Sequence, residues 1–392
     1  MLALVELFAI GLLLAMLPST FYLVLLTLAG WLPARRQMAM PFDGRIAIVV
    51  PAHNESAGIG RTLSNLLGLA RADGNTEVFV VADNCDDATA DIAATLGARV
   101  LVRNDASQRG KGYALDYAFS NLLREDYAAF VVIDADSQAA DNFIDSLRRH
   151  FGTGAVALQS RYTVLNGNES PRTQLAEMAL AAFNVLRPRG RDRLGLSVGI
   201  LGNGFALRRR VLETVPYSAA SVVEDLEYHL KLIEAGMRVE FMDDTEVRGE
   251  MPTGERGRDT QRARWEGGRL RMLIENGFGL LWRAVKGRPR LLEPLADLLL
   301  LPLAYHVMTL LLCVGILLWS GNMLAVSVGL LYLFAVFLHI LVALRVNHLP
   351  LSRLLLLARI PGYLLWKTRM LAATLATARR HSAWVRTDRD GS

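Results

Sequence analysis

Three long stretches of this chain carry no charge, and they decide what it can fold into. Residues Leu7–Leu32, Leu298–Trp319 and Met323–Leu344 contain no Asp, Glu, Lys or Arg. About 20 apolar residues carry a helix across a bilayer, because a helix satisfies its own backbone polar groups. Each stretch is therefore expected to span a membrane. Ser320-Gly321-Asn322 is a short polar link, so the second and third spans read as a tight hairpin. The residues before Leu7 include no basic side chain, which argues against a cleaved signal peptide. His306 and His339 fall inside spans and are expected to be neutral, packed residues.

Basic flanks orient the spans. Arg35 and Arg36 follow the first, Arg283, Lys286, Arg288 and Arg290 precede the second, and Arg345 ends the third. Three crossings put all these flanks on one face, and such residues mark the cytoplasmic side. Residues 1–33 are thus expected to be an anchor, 34–295 a cytoplasmic domain and 296–345 a hairpin in an inner (cytoplasmic) membrane protein. In 346–392, apolar runs from Leu351 to Met370 mix with Arg353, Arg359, Lys367 and Arg369, and Pro361-Gly362 interrupts them. That pattern suits amphipathic helices lying in the membrane interface, followed by a basic tail. The net charge of +5 fits these flanks, and no basic-aromatic patch suggests a nucleic-acid partner. Cys85 and Cys313 lie in different compartments on this layout, so neither a disulfide nor a cysteine metal pair is expected.

Between the spans, short β runs alternate with helical patterns. Strands are expected at Ile46–Val50, Glu77–Val81, Arg99–Val102 and Phe130–Ile133. Helices are expected near Gly58–Ala70, up to about Leu96, and at Gly110–Leu123. This order predicts an α/β, Rossmann-like domain: a parallel sheet with helices on both faces. Ligands of such sheets bind beyond the carboxyl ends of the strands. Three polar clusters fall there: His53-Asn54-Glu55, then Asp83 with Asp86 and Asp87, then Asp134 with Asp136. Two carboxylates one residue apart at the end of a buried strand repel, by about 4 kcal/mol at 4 Å and an effective dielectric near 20. A hard dication such as Mg2+ or Mn2+ relieves that repulsion and shares its oxygen ligands with phosphates. No Gly-x-Gly-x-x-Gly follows the first strand and no P-loop is present, so the common dinucleotide and NTPase motifs are excluded.

Six motifs in order now resemble a known family. Ile48-Val-Val-Pro-Ala-His-Asn-Glu55, Val80-Val-Ala-Asp-Asn84, Gly110-Lys-Gly112, Asp134-Ala-Asp136, Glu224-Asp225 and Gln261-Arg-Ala-Arg-Trp265 are similar to those of family 2 glycosyltransferases. These are inverting GT-A enzymes, and the group includes membrane synthases of cellulose, hyaluronan and poly-N-acetylglucosamine and ceramide-glucosyltransferase-like enzymes. The resemblance covers about residues 45–270. It implies a nucleotide-sugar site at Pro51, His53, Asn54, Glu55, Asp83, Lys111 and Asp134, with Asp83 accepting from a uracil imide. It implies a Mg2+ or Mn2+ site at Asp136 with Asp134. Asp225, beside Glu224, would be the catalytic base, and Gln261, Arg262, Arg264 and Trp265 would hold diphosphate and acceptor. Val223 stands where many members have Thr, which leaves the polymerising subgroup unassigned but keeps the base.

The expected reaction is sugar transfer from a nucleotide sugar, with UDP implied by the resemblance. The acceptor would be a lipid-linked or polysaccharide molecule in exopolysaccharide or envelope-glycan synthesis. Three spans are few for an export channel within one subunit, which favours single or limited addition. A processive synthase, working with an export partner or as a homo-oligomer, and a ceramide-type glycolipid transferase stay open. A nucleotidyltransferase has a similar acidic sheet but no need for Glu224-Asp225 or the Arg-Trp motif. A non-catalytic subunit would not need the full acidic set. Four smaller features bear on the site. Gly202-Asn203-Gly204 suits a close backbone approach at an acceptor wall. Asp225 is expected in the first turn of a helix, Glu224–Ala235. Glu250–Asp259 could gate the nucleotide. The charge run Arg187–Arg193 reads first as a solvated loop, with a lid or acceptor-binding role as the alternative.

Overall fold

The computed structural model describes residues 2–32, 42–218, 223–252, 254–300 and 302–378. Arg35, Arg36 and the basic tail beyond 378 lie outside the described residues. The chain opens with one long helix, α1 (Leu2–Trp31), and enters the sheet at β1 (Ile46–Ala52). Alternate β1 side chains go to two different cores: Ile46, Ile48, Val50 and Ala52 to one, Ala47 and Val49 to the other. Both faces are covered, so the strand reads as an unbroken apolar run. The repeat continues with α2 (Ile59–Asp73), β2 (Thr76–Asp83), α3 (Thr89–Leu96), β3 (Arg99–Arg103), α4 (Lys111–Leu122) and β4 (Ala129–Val132).

Beyond β4, past the strands read from the sequence, the sheet becomes mixed. The chain adds β5 (Ser137–Ala139), α5 (Phe143–Gly152), β6 (Ala157–Val164), α6 (Pro171–Leu180), a π-helical turn (Ala181–Leu186) and α7 (Arg187–Arg193). Then come β7 (Phe205–Arg208), α8 (Arg209–Thr214), α9 (Glu224–Glu234) and β8 (Val239–Gly249). The eight strands run in the order β3-β2-β1-β4-β7-β6-β8-β5. β1 to β4 pair in parallel, whereas β7 is antiparallel to both β4 and β6. β7 is only four residues long, too short to show a period in the sequence. The turn before it uses the left-handed backbone of Gly202 (φ 80°) and Gly204 (φ 70°) to reverse the chain into the sheet.

The remaining helices tie this domain to an apolar bundle. α10 (Glu255–Val285) and α11 (Leu292–Leu299) lead to α12 (Leu303–Ser320) and α13 (Met323–Val346). α1, α12 and α13 are long and apolar enough to cross a membrane. The second span starts at Leu303, five residues later than Leu298, because Pro302 ends the preceding helix. Two buried polar pairs join the bundle, Thr20 with His306 at 3.1 Å and Thr27 with His339 at 2.7 Å, and half-buried Asn322 donates to Glu6 at 2.8 Å. A 3-10 segment, Leu351–Arg359, and α14 (Ile360–Thr377) follow. Pro361 starts α14 instead of interrupting it, since the first helical turn has no use for its missing N–H.

The Arg187–Arg193 run is the clearest correction. It is helix α7, docked against α1, where a side-chain carbon on Gly30 would come within 2.6 Å of Leu186. Arg187 is 2% and Arg191 3% exposed. Charge alone predicted solvent; for Arg191 the acidic partners Glu293 and Asp297, about a hundred residues away, made burial possible.

Candidate active site

Strand register gathers the polar clusters. Ala52 pairs with Ala82 and Val49 with Val132, so His53, Asp83 and Asp134 emerge side by side from adjacent strand ends. There they border a cavity of about 150 Å³ lined by Pro51, His53, Glu55, Asp83, Lys111, Asp134, Asp136 and Arg264. Asn54 does not line it. Its side-chain oxygen accepts from the Asp86 N–H at 3.0 Å, and its backbone adopts φ 54°, tying the β1 loop to the β2 loop. His53 Nδ1 lies 2.7 Å from the Asp83 carbonyl oxygen. Asp83 is buried and is the direct strand partner of Arg103, whose Nη1 donates to its carboxylate at 2.7 Å. One Asp83 oxygen is thus already engaged inside the protein. Arg109 also lines the cavity; the sequence reading missed it, although it immediately precedes Gly110-Lys111.

The Asp-Ala-Asp loop is held from two sides. Lys111 Nζ donates to Asp134 Oδ1 and, at 2.5 Å, to the Gly202 carbonyl. Asn203, fully buried, accepts from the Asp134 N–H at 3.1 Å and donates to Ser137 Oγ at 2.9 Å. Its amide therefore brackets both aspartates, a role that the sequence signalled only through the flanking glycines.

A second cavity, of about 320 Å³, opens on the other side of Gly202. Asp225, Arg262 and Trp265 line it, with walls from α6, α12, α13 and α14. A side-chain carbon on Gly202 would lie 3.1 Å from Asp225 Oδ2 and 3.8 Å from Lys111 Nζ, so the two cavities adjoin at this glycine. Asp225 sits in the first turn of α9, and its Oδ1 accepts from the Leu226 N–H at 2.8 Å. The Gln261-Arg-Ala-Arg-Trp265 motif is part of α10. Helical geometry splits it: Arg264 reaches the first cavity, Arg262 and Trp265 the second. Gln261 and Glu224 line neither. Any side chain at Gly268 would overlap Val223, so this glycine lets α10 press against the start of α9.

Burial dominates the electrostatics of the junction. It raises the pKa of Glu224, and the neighbouring Asp225 raises it further. Burial also raises Asp225, while its backbone hydrogen bond, Lys111 and Arg264 pull the other way. For Lys111, burial opposes the charge, but Asp134, Glu224 and Asp225 outweigh it and hold its pKa above the ordinary value. Asp134 and Asp136 supply hard oxygen donors at the floor of the first cavity, the chemistry that Mg2+ or Mn2+ takes. Among the described residues no cluster of three or more His, Cys, Asp or Glu stands ready to hold a metal unaided. The donors therefore fit a dication that completes its shell with ligand oxygens.

A mixed sheet with an acidic loop at its parallel strand ends, joined to three apolar helices, defines a membrane-associated GT-A fold. The chain belongs to the glycosyltransferase-like family 2, whose description matches residues 44–268. A mannosyltransferase of Pyrobaculum calidifontis, PcManGT, solved in complex with GDP-Man and Mn2+, shares the fold. Its TM-score is 0.58 at 17% identity, over 95% of this chain and 97% of its own. The β-monoglucosyldiacylglycerol synthase of Trichormus variabilis is 30% identical over 247 residues, 60% of this chain and 51% of the relative. A probable glycosyltransferase of Bacillus subtilis, YdaM, is 24% identical over 208 residues, 50% of this chain and 48% of its own length. The chain thus spans about half the length of the curated relatives it matches.

Proposed function

We propose that this protein is an inverting glycosyltransferase that moves one sugar from a nucleotide sugar to a hydroxyl of a membrane-lipid acceptor at the cytoplasmic face. The observation that carries this reading is the second cavity. It reaches from Asp225 to side chains of the apolar helices α12 and α13 and of the surface helix α14. An acceptor entering it comes from the bilayer, not from water. The lipid-acting relative from Trichormus supports the same reading.

The donor occupies the first cavity. Pro51, His53, Glu55 and Asp83 face its nucleoside, Asn54 keeps that wall in shape, and Lys111 and Arg264 face its diphosphate. Asp136, with Asp134, would hold Mg2+ or Mn2+ against the diphosphate, where the ion neutralises charge on the leaving group. The acceptor hydroxyl gives its proton to Asp225 as its oxygen bonds to the anomeric carbon. The bond from that carbon to the diphosphate breaks, and the nucleoside diphosphate leaves with the electron pair. A single displacement inverts the anomeric centre. Asp225 suits the base role because burial raises its proton affinity, while Lys111 and Arg264 favour its ionised form. Glu224 and Gln261 support this arrangement from outside the cavities. Trp265 offers an indole face to the acceptor headgroup.

The test uses the full chain in nanodiscs with Mn2+, a panel of UDP- and GDP-sugars, and membrane lipid extract. Mass spectrometry should find one sugar added to a lipid. A product that grows to a polymer would favour the processive alternative. Transfer only to soluble glycans would refute the lipid acceptor.

A further inference from the structure

The far wall of the second cavity carries charge that the described residues do not balance. Arg187, Arg191 and Arg269 all line it. Arg191 is paired to Glu293 at 2.9 Å and to Asp297 at 3.1 Å, and Arg269 reaches the same Asp297 at 3.1 Å. Three guanidinium groups thus face two carboxylates. His229, beside them, adds no charge near neutral pH: burial first, then Arg191, push its pKa down to about 3. Arg187 is the cation left over. Burial brings its pKa down only to about 10, so it stays charged.

The hydrogen-bonding count agrees with the charge count. Arg187 Nε and Nη1, Arg191 Nε and Arg269 Nε are buried without an acceptor. The faces of two of these groups are occupied, since Arg187 and Arg269 stack on the Phe183 ring at 5.1 and 5.4 Å. Their edges, which carry the donors, are not. Buried cations without a partner are expensive, and buried donors normally find an acceptor. Apart from Asp225 and Arg262 near the sugar-donor side and the paired Glu266 and Lys367, the cavity is mostly apolar, with Leu175, Leu303, Val307, Ile340 and Leu364 contributed by four helices. An apolar tunnel with unused guanidinium donors in its wall matches an amphiphile that bears an oxyanion.

We propose that the second cavity binds a lipid acceptor whose headgroup carries a phosphate, held by Arg187 together with Arg191 and Arg269. Phosphate is the anionic group that a bilayer commonly offers, and a guanidinium edge suits its oxygens. The donor's diphosphate is a different anion at a different place, since none of the three arginines lines the first cavity. The inference rests on the lipid-acceptor reading above and narrows it: a neutral diacylglycerol would leave these donors unsatisfied.

The experiment measures binding of dodecyl phosphate and of uncharged dodecyl glycerol to the full chain in detergent, by Trp265-sensitive fluorescence. Dodecyl phosphate should bind about tenfold tighter or better, the usual worth of a hydrogen bond to a charged group. Arg187→Gln should erase that preference and Arg187→Lys should keep part of it, with nucleoside diphosphate binding unchanged in both. If Arg187→Gln fails to fold, Arg269→Gln reads the same preference. Equal binding of the two probes to the wild type would overturn the proposal. So would full displacement of dodecyl phosphate by millimolar inorganic phosphate, which would mean a free-anion site. A parallel transfer assay with phosphatidylglycerol and diacylglycerol separates the two readings. Sugar transfer to neither lipid, with the dodecyl phosphate preference intact, would sink the acceptor reading and leave the anion site standing. Faster transfer to diacylglycerol would overturn the phosphate proposal alone.

Discussion

Lys367 and Glu266 form a buried ion pair between the surface helix α14 and the helix that carries the Gln-Arg-Ala-Arg-Trp motif. The Lys367 side chain is 1% exposed and that of Glu266 10%. The ammonium also sits over Trp366 and Tyr305, at 5.1 and 5.3 Å from their ring centres. Glu266 Oε2 has no partner of its own, so Lys367 is what satisfies this carboxylate. Lys367→Met keeps most of the apolar stem and removes the charge. A unit pair at 4 Å and an effective dielectric near 20 is worth about 4 kcal/mol. Removing one partner of a buried pair typically costs about 3–5 kcal/mol. The single variant should therefore lose several degrees in its melting midpoint. Its acceptor KM should also rise, because Trp265, Glu266 and Lys367 all line the second cavity. Adding Glu266→Gln should restore most of the loss, since no bare charge is left buried, giving a coupling energy of about 2–3 kcal/mol. The four proteins are compared by thermal melting in one detergent and by acceptor titration. A Lys367→Met protein that melts and turns over like the wild type would refute the reasoning. A double variant showing the plain sum of the two single losses would refute it too.

Asp225→Asn should lower kcat by about 10²–10⁴-fold while leaving nucleotide binding within a factor of about two; retained turnover would remove Asp225 from the base role. Because burial raises its pKa, the acid limb of kcat/KM should lie above the ordinary carboxylate range, with activity falling as pH drops and Asp225 takes up a proton. The same raised values on Glu224 and Asp225 mean that the folded state binds more protons there than the unfolded one. Ligand-free stability should therefore decline as pH climbs from the unfolded to the folded pKa values, as melting curves across pH would show. Asn203→Ala removes the amide that holds the Asp134 N–H and Ser137, and should cost about 10–100-fold in kcat or metal affinity without touching substrate. Chelation with EDTA should abolish transfer, Mn2+ or Mg2+ should restore it, and Asp136→Ala should resist restoration.

Much of the candidate site was legible because its chemistry is local. A strand that ends in Asp134-Ala-Asp136, or in Asp83, declares itself by period and charge within a few residues. The parallel order of β1 to β4 then places those ends together with no further information. The membrane helices were equally plain, since an uncharged apolar run of that length matches the thickness of a bilayer.

What stayed hidden depends on partners far apart in the chain. Arg187–Arg193 looked like solvent-facing charge until Glu293 and Asp297 came to meet it. Asn203 looked like part of a turn, yet its amide reaches back to Asp134. Asp83 looked like a free acceptor, but strand register pairs it with Arg103. The division of Gln261–Trp265 between two cavities follows from helix α10, pressed into place through Gly268. Periodicity and local charge specify which elements form and which residue types they present. Only packing decides which distant side chains share a buried volume, because the cost of burying a charge or donor depends on what stands opposite it.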